Sequence, residues 1–93
     1  MPFFTHILLC SDGSYYVGHT NDLVERLTRH NDGRGPKYTA ARRPVTMVYS
    51  EELPALEAAI TRGRQLKRWT RDKKEALIAK GSCRLHALAK HRQ

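Results

Sequence analysis

Two short runs, FFTHILLC (3–10) and SYYVGHT (14–20), are dense in aliphatic, aromatic and β-branched side chains, with SDGS at 11–14 bridging them. Asp12-Gly13 inside that bridge favours a tight reversal, so the pair reads as a β-hairpin. The register of this hairpin constrains everything that follows. A two-residue turn at Asp12-Gly13 sends His6 and Tyr16 to opposite faces, whereas one extra residue in the turn brings them to the same face.

Beyond the hairpin, NDLVERLTRHN (21–31) places Leu23, Leu27 and His30 at helical spacing, with Thr20 or Asn21 available as N-cap. Arg26 and His30 are four apart and therefore share a face. DGRGPKYTAARRP (32–44) is punctuated by Gly33, Gly35, Pro36 and Pro44 and reads as a basic loop. VTMVYS (45–50) reads as a third strand, and Pro54 fits the first turn of a helix whose row runs Leu56, Ile60, Gly63, Lys67, with Ala59 and Leu66 beside it. Thr70 can cap a further helix over RDKKEALIAK (71–80), stopped by Gly81, and SCRLHALAKH allows a last one capped by Ser82. The predicted order is β-β-α-β-α-α, an α+β arrangement, with a C-terminal helical extension over 81–93.

The 93 residues suit one domain with a modest core, without repeat or linker. No apolar run approaches the length of a membrane span and MPFFTHILLC has no basic leader, so the expectation is a cytoplasmic protein with neither membrane nor small-molecule cofactor as partner. Cys10 and Cys83 lack any zinc-like spacing and are expected to be reduced and structural. Lys and Arg total 17 against 9 acids, a formal charge of +8, which favours a polyanion and above all nucleic acid. Lys67, Arg68, Arg71, Lys73 and Lys74 around the third helix are candidates for tracking a phosphate backbone, as are Lys37, Arg42 and Arg43 in the loop, where Tyr38 offers a ring for stacking on a base. The plainer reading of both clusters is a solvated face, with Tyr38 and Val45 closing the core.

Gly63 sits in the second predicted helix without an evident reason. Gly63 lies within AAITRGRQLKRW, where a glycine costs about 1 kcal/mol relative to alanine. Either a backbone comes close at that point or a side chain with a task is missing.

SYYVGHTNDLVERLTRHN, KYTAARRPVTMVYSEE and QLKRWTRDKKEALI together resemble the GIY-YIG nuclease superfamily, in its small single-domain group of URI and UPF0213-like proteins, over about residues 3–80. The resemblance implies a small three-stranded antiparallel sheet flanked by helices. It also implies hydrolysis of DNA phosphodiester bonds, single- or double-stranded, with Mg²⁺ or Mn²⁺ as cofactor. Tyr16 in Tyr16-Val17-Gly18 matches the second half of the family name, and Arg26 and His30 match its helix arginine and histidine. A guanidinium suits phosphate because it is always charged and holds two oxygens in a fixed fork. An aromatic on a half-buried strand and a solvated helix face are the plainer readings of Tyr16 and Arg26.

Two positions depart from the pattern. His6 stands where the first half of the family name ends in tyrosine; imidazole also relays a proton, with a pKa nearer neutrality. Gly63 stands where the family carries its metal-binding glutamate. Magnesium is held by oxygen ligands, and loss of the sole carboxylate cripples metal-assisted activation of water. Glu57 is about 240° around the helix from Gly63 and Asp72 lies beyond a helix break, so neither replaces it. A substitute zinc site from His6, His19 and His30 lacks a closing fourth ligand. The sequence therefore leaves two functions open, an impaired metal-dependent nuclease and a nucleic-acid-binding module on the same fold.

Overall fold

The computed structural model describes residues 2–80. The last expected helix and Cys83 lie outside them. Strands β1 (Phe3–Leu9), β2 (Tyr15–Thr20) and β3 (Thr46–Leu53) form one antiparallel sheet in the order β2-β1-β3. Helices α1 (Leu23–Asn31), α2 (Lys37–Ala40) and α3 (Leu56–Lys67) are joined by a helix over 71–80, here α4. The chain thus has the α+β arrangement expected from its sequence.

Why the sheet is a central layer follows from β1. Thr5, His6, Ile7 and Leu8 are four consecutive buried residues, a pattern that a strand shows only when both faces are covered. On one face, Ile7 and Val17 pack with Leu66 of α3, with Trp69, Leu77 and Ile78 around them. On the other, Leu8, Cys10 and Val45 form a second cluster closed by Tyr16, Leu27 and Met47. Each fully buried Ile or Leu stabilises such a core by about 1.5–3 kcal/mol.

The hairpin takes the longer turn. Cys10 N–H donates to Ser14 C=O (2.8 Å) and Gly13 N–H to Cys10 C=O (3.0 Å), leaving a three-residue loop, Ser11-Asp12-Gly13. Gly13 has φ +86°, the left-handed conformation that closes this kind of loop through a bulge. Asp12 accepts from the Ser14 N–H and hydroxyl and from Arg42, fixing the turn. His6 consequently pairs with Gly18 and Leu8 with Tyr16, so His6 and Tyr16 share the α1 face.

Three local readings change. The loop expected over 32–44 contains α2, where Ala40 N–H donates to Pro36 C=O, a single turn too short to show periodicity. α1 is capped by Asp22, which accepts from Glu25 N–H at 3.0 Å, rather than by Thr20 or Asn21; Thr20 instead accepts from Asp22 N–H. Pro54 precedes α3 instead of entering it, because β3 continues through Glu51, Glu52 and Leu53 to pair with Thr5, Phe4 and Phe3.

The inward stripe of α3 is Ala59, Gly63 and Leu66. Thr5 hydroxyl donates to Ala59 C=O at 2.8 Å, which seats the helix on the sheet. α4 begins where expected, with the Thr70 hydroxyl accepting from Lys73 N–H. Among the described residues, no helix is long and apolar enough to cross a membrane.

Candidate active site

β2 is an edge strand, and at Gly18 that edge carries no side chain. A cavity of about 140 Å³ opens there and draws its walls from both faces of the sheet. From the α1 face come His6, Tyr16, Arg26 and His30; from the α3 face come Val17, His19 and Lys67. Hairpin register brings His6 over Gly18 so closely that a Cβ on Gly18 would stand 2.9 Å from His6 Cε1. The glycine is therefore required by the histidine above it.

His6 and His30 are each 1% exposed, with ring centres 6.2 Å apart and edge to face. Among the described residues, neither ring nitrogen of His6 has a hydrogen-bond partner, nor has the buried Nε of Arg26. Buried polar atoms without partners are costly, and here three of them surround one cavity. Burial, followed by the nearby His30, Arg26 and His19, pushes the His6 pKa down to about 4. Burial and Arg26 likewise lower His30, and burial, Arg26 and Lys67 lower His19. The shifts all favour the neutral imidazole, beside the guanidinium of Arg26 and the ammonium of Lys67.

His6, Tyr16, Arg26 and His30 thus converge as the motif spacing implies. Lys67, expected only on an outer phosphate-tracking surface, reaches round the β2 edge into the cavity, and His19 joins the wall. The sequence groups His19 with His6 and His30, whereas the inward reach of Lys67 is not legible from spacing, since α3 packs on the face opposite α1.

Gly63 is buried one turn before Lys67 but does not line the cavity. A Cβ there would meet Thr5 Cγ2 at 3.9 Å and Val17 Cγ1 at 4.0 Å, both ordinary contacts. No close approach of backbone demands this glycine. Positions 63 and 67 lie on one helix face, so a carboxylate at 63 would project beside Lys67.

Among the described residues, none that line the cavity carries a carboxylate. Among the described residues, no group of three or more His, Cys, Asp or Glu is placed to hold a metal ion, the His6-His19-His30 set included. A hard cation such as Mg²⁺ or Mn²⁺ asks for carboxylate oxygen, and the residues present do not fit it.

The loop candidates have internal partners. Arg42 donates to Asp12 at 2.9 Å and to Tyr38 C=O at 3.0 Å, and its guanidinium lies 3.9 Å from the Tyr38 ring centre. Tyr38 also stacks on Tyr16, with ring centres 5.9 Å apart at 26°. Arg43 donates to Ala40 C=O and Asn31 C=O. Arg71 pairs with Glu75 and covers Tyr15, and Lys73 lies over Trp69. Lys37, Lys67, Arg68 and Lys74 form no ion pair among the described residues. A larger groove on the outer face of α3, lined by Thr61, Arg64, Gln65, Arg68 and Trp69, shares no residue with the cavity.

Residues 2–76 match the sequence profile of the GIY-YIG catalytic domain. The chain belongs to the GIY-YIG family. Within it, the chain is 47% identical over 75 residues to a UPF0213 protein of Bacillus pumilus, covering 81% of this chain and 76% of that one. It is 43% identical over 75 residues, with the same coverage, to the UPF0213 protein YazA of Bacillus subtilis. The solution structure of a UPF0213 protein from Bacillus halodurans shares 39% identity and covers 87% of each chain, with a TM-score of 0.56. A solution structure of an E. faecalis protein is also 39% identical, over 86% of this chain and 85% of that one, with a TM-score of 0.59. The α+β fold with its three-stranded antiparallel sheet matches these UPF0213-type structures. GIY-YIG nucleases act on nucleic acids and generally use divalent metals.

Proposed function

We propose that this GIY-YIG chain holds a phosphodiester of DNA in the cavity at the β2 edge, and that the hydrolysis its family performs has lapsed or persists only weakly. The observation carrying this reading is the composition of the wall: Arg26 and Lys67, three imidazoles and the Tyr16 phenol, with no carboxylate among the described residues. Arg26 offers a charged fork for two phosphate oxygens, and its unpartnered Nε gains a partner when an anion enters. Lys67 supplies a second, compact charge from the opposite helix. A charge-assisted hydrogen bond contributes about 1.5–3 kcal/mol, enough for two such contacts to hold a phosphate against water.

Tyr16, Arg26 and His30 are kept from the nuclease pattern, and the proposal assigns them to gripping and orienting the phosphate. His6 replaces a tyrosine and Gly63 a metal-holding glutamate, so water activation through a metal has no protein ligand on α3. Lys37, Arg68 and Lys74 extend the same phosphate contacts across the surface, in the cytoplasm where such DNA lies.

The test restores the missing carboxylate. Gly63→Glu in the full chain is expected to gain Mn²⁺-dependent cleavage of labelled DNA over the parent protein. Equal cleavage by parent and variant would overturn the assignment of the defect to position 63.

A further inference from the structure

His30 is held from behind by a part of the chain that the site itself does not include. Its Nδ1 lies 2.7 Å from the hydroxyl of Thr39, a residue of α2 with no exposed surface. That hydroxyl has a second close neighbour, the Pro36 carbonyl oxygen, at 3.1 Å. Thr39 has one hydroxyl proton and two potential acceptors. If the proton pointed at His30, two oxygens would face each other at 3.1 Å with only lone pairs between them. If it points at Pro36, both contacts are attractive, provided that His30 brings its own proton on Nδ1.

Gly35 makes the arrangement sterically possible. A Cβ at position 35 would lie 2.9 Å from His30 Nδ1 and 3.2 Å from the Thr39 hydroxyl, inside the space that their hydrogen bond occupies. Three features of GPKYT thus converge on one ring nitrogen: the bare Gly35, the Pro36 carbonyl and the Thr39 hydroxyl. We infer that Thr39, oriented by Pro36 and accommodated by Gly35, is a positioning residue that fixes His30 as its Nδ1–H tautomer and leaves Nε2 as a proton acceptor at the cavity. This deepens the phosphodiester-binding reading, on which the role of Nε2 towards a ligand rests; the tautomer itself belongs to the free protein.

An acceptor there has a defined chemical use. Arg26 and Lys67 contact the negative oxygens of a phosphodiester, whereas His30 Nε2 accepts a hydrogen bond from a water or hydroxyl beside it. A donor on Nε2 would instead add another N–H to a wall already rich in them.

Long-range proton–nitrogen NMR on the full chain with labelled histidine, at pH 7.5, reads the tautomer directly. The expected spectrum shows a protonated Nδ1 and an unprotonated Nε2 for His30. Thr39→Val, which keeps the shape and removes the hydroxyl, is expected to switch the ring to the Nε2–H form, and Thr39→Ser to restore the parent pattern. An Nε2–H tautomer in the unaltered protein overturns the inference even if Thr39→Val fails to fold, and so does a Thr39→Val spectrum like the parent's. Titration with a thymidine dinucleotide then tests the binding reading separately: no response at His30 in a protein with the expected tautomer counts against phosphodiester binding and leaves the positioning role intact.

Discussion

Gly63 lies on the inward stripe of α3, where a Cβ would meet Thr5 Cγ2 at 3.9 Å and Val17 Cγ1 at 4.0 Å, both ordinary contacts. Gly63→Ala is therefore expected to stabilise the protein by about 1 kcal/mol, read as a higher urea midpoint or Tm, since it gains helix propensity without a clash. A lower midpoint would show that α3 needs the glycine after all. His6 carries a second prediction. Its folded pKa of about 4 lies below the unfolded value of 6.5, so the unfolded chain takes up the proton first. The stability this residue contributes is complete above pH 6.5 and falls as pH drops towards 4, by about 3 kcal/mol in all. His6→Phe should flatten the decline of Tm between pH 6.5 and 4, and a profile parallel to the parent's would contradict the buried neutral histidine.

At the scale of elements, the hairpin shows what a sequence can and cannot fix. The strands and the turn residues were plain, yet the register depended on whether Gly13 closed a bulge, and this alone decides that His6 and Tyr16 meet. α2 was illegible because four residues of helix have no period to read; its role emerges only through Thr39 and through Tyr38, which contacts both Arg42 and Tyr16. A further link joins α1 to the residue that leads into β3: the Asn31 side chain donates to Val45 C=O at 3.1 Å and accepts from Val45 N–H at 2.8 Å. Asn31→Ala leaves both backbone groups without that partner and is expected to cost about 1–2 kcal/mol in urea unfolding. A change within experimental scatter would mean that water replaces the amide freely.

For the whole molecule, the charge of +8 favours a polyanionic partner, but charge alone does not say which cations would meet one. The structure divides them. Arg42 and Arg43 are engaged within the fold, whereas Arg26 and Lys67 face the cavity and Lys37, Arg68 and Lys74 form no ion pair among the described residues. Replacing Lys67 with Gln should lower the salt slope of DNA binding by about 1, the equivalent of one phosphate contact. Arg42→Gln should leave that slope unchanged, and the reverse ranking would move the binding surface to the loop. The central claim, that the phosphate-gripping part of the site persists without the metal-holding part, meets its most direct test in one gel. Labelled DNA is incubated with the unaltered protein in EDTA and in Mn²⁺, and both retardation and cleavage are read. The expected result is the same salt-sensitive retardation in both lanes with the DNA uncut or barely cut; strong Mn²⁺-dependent cutting would contradict it.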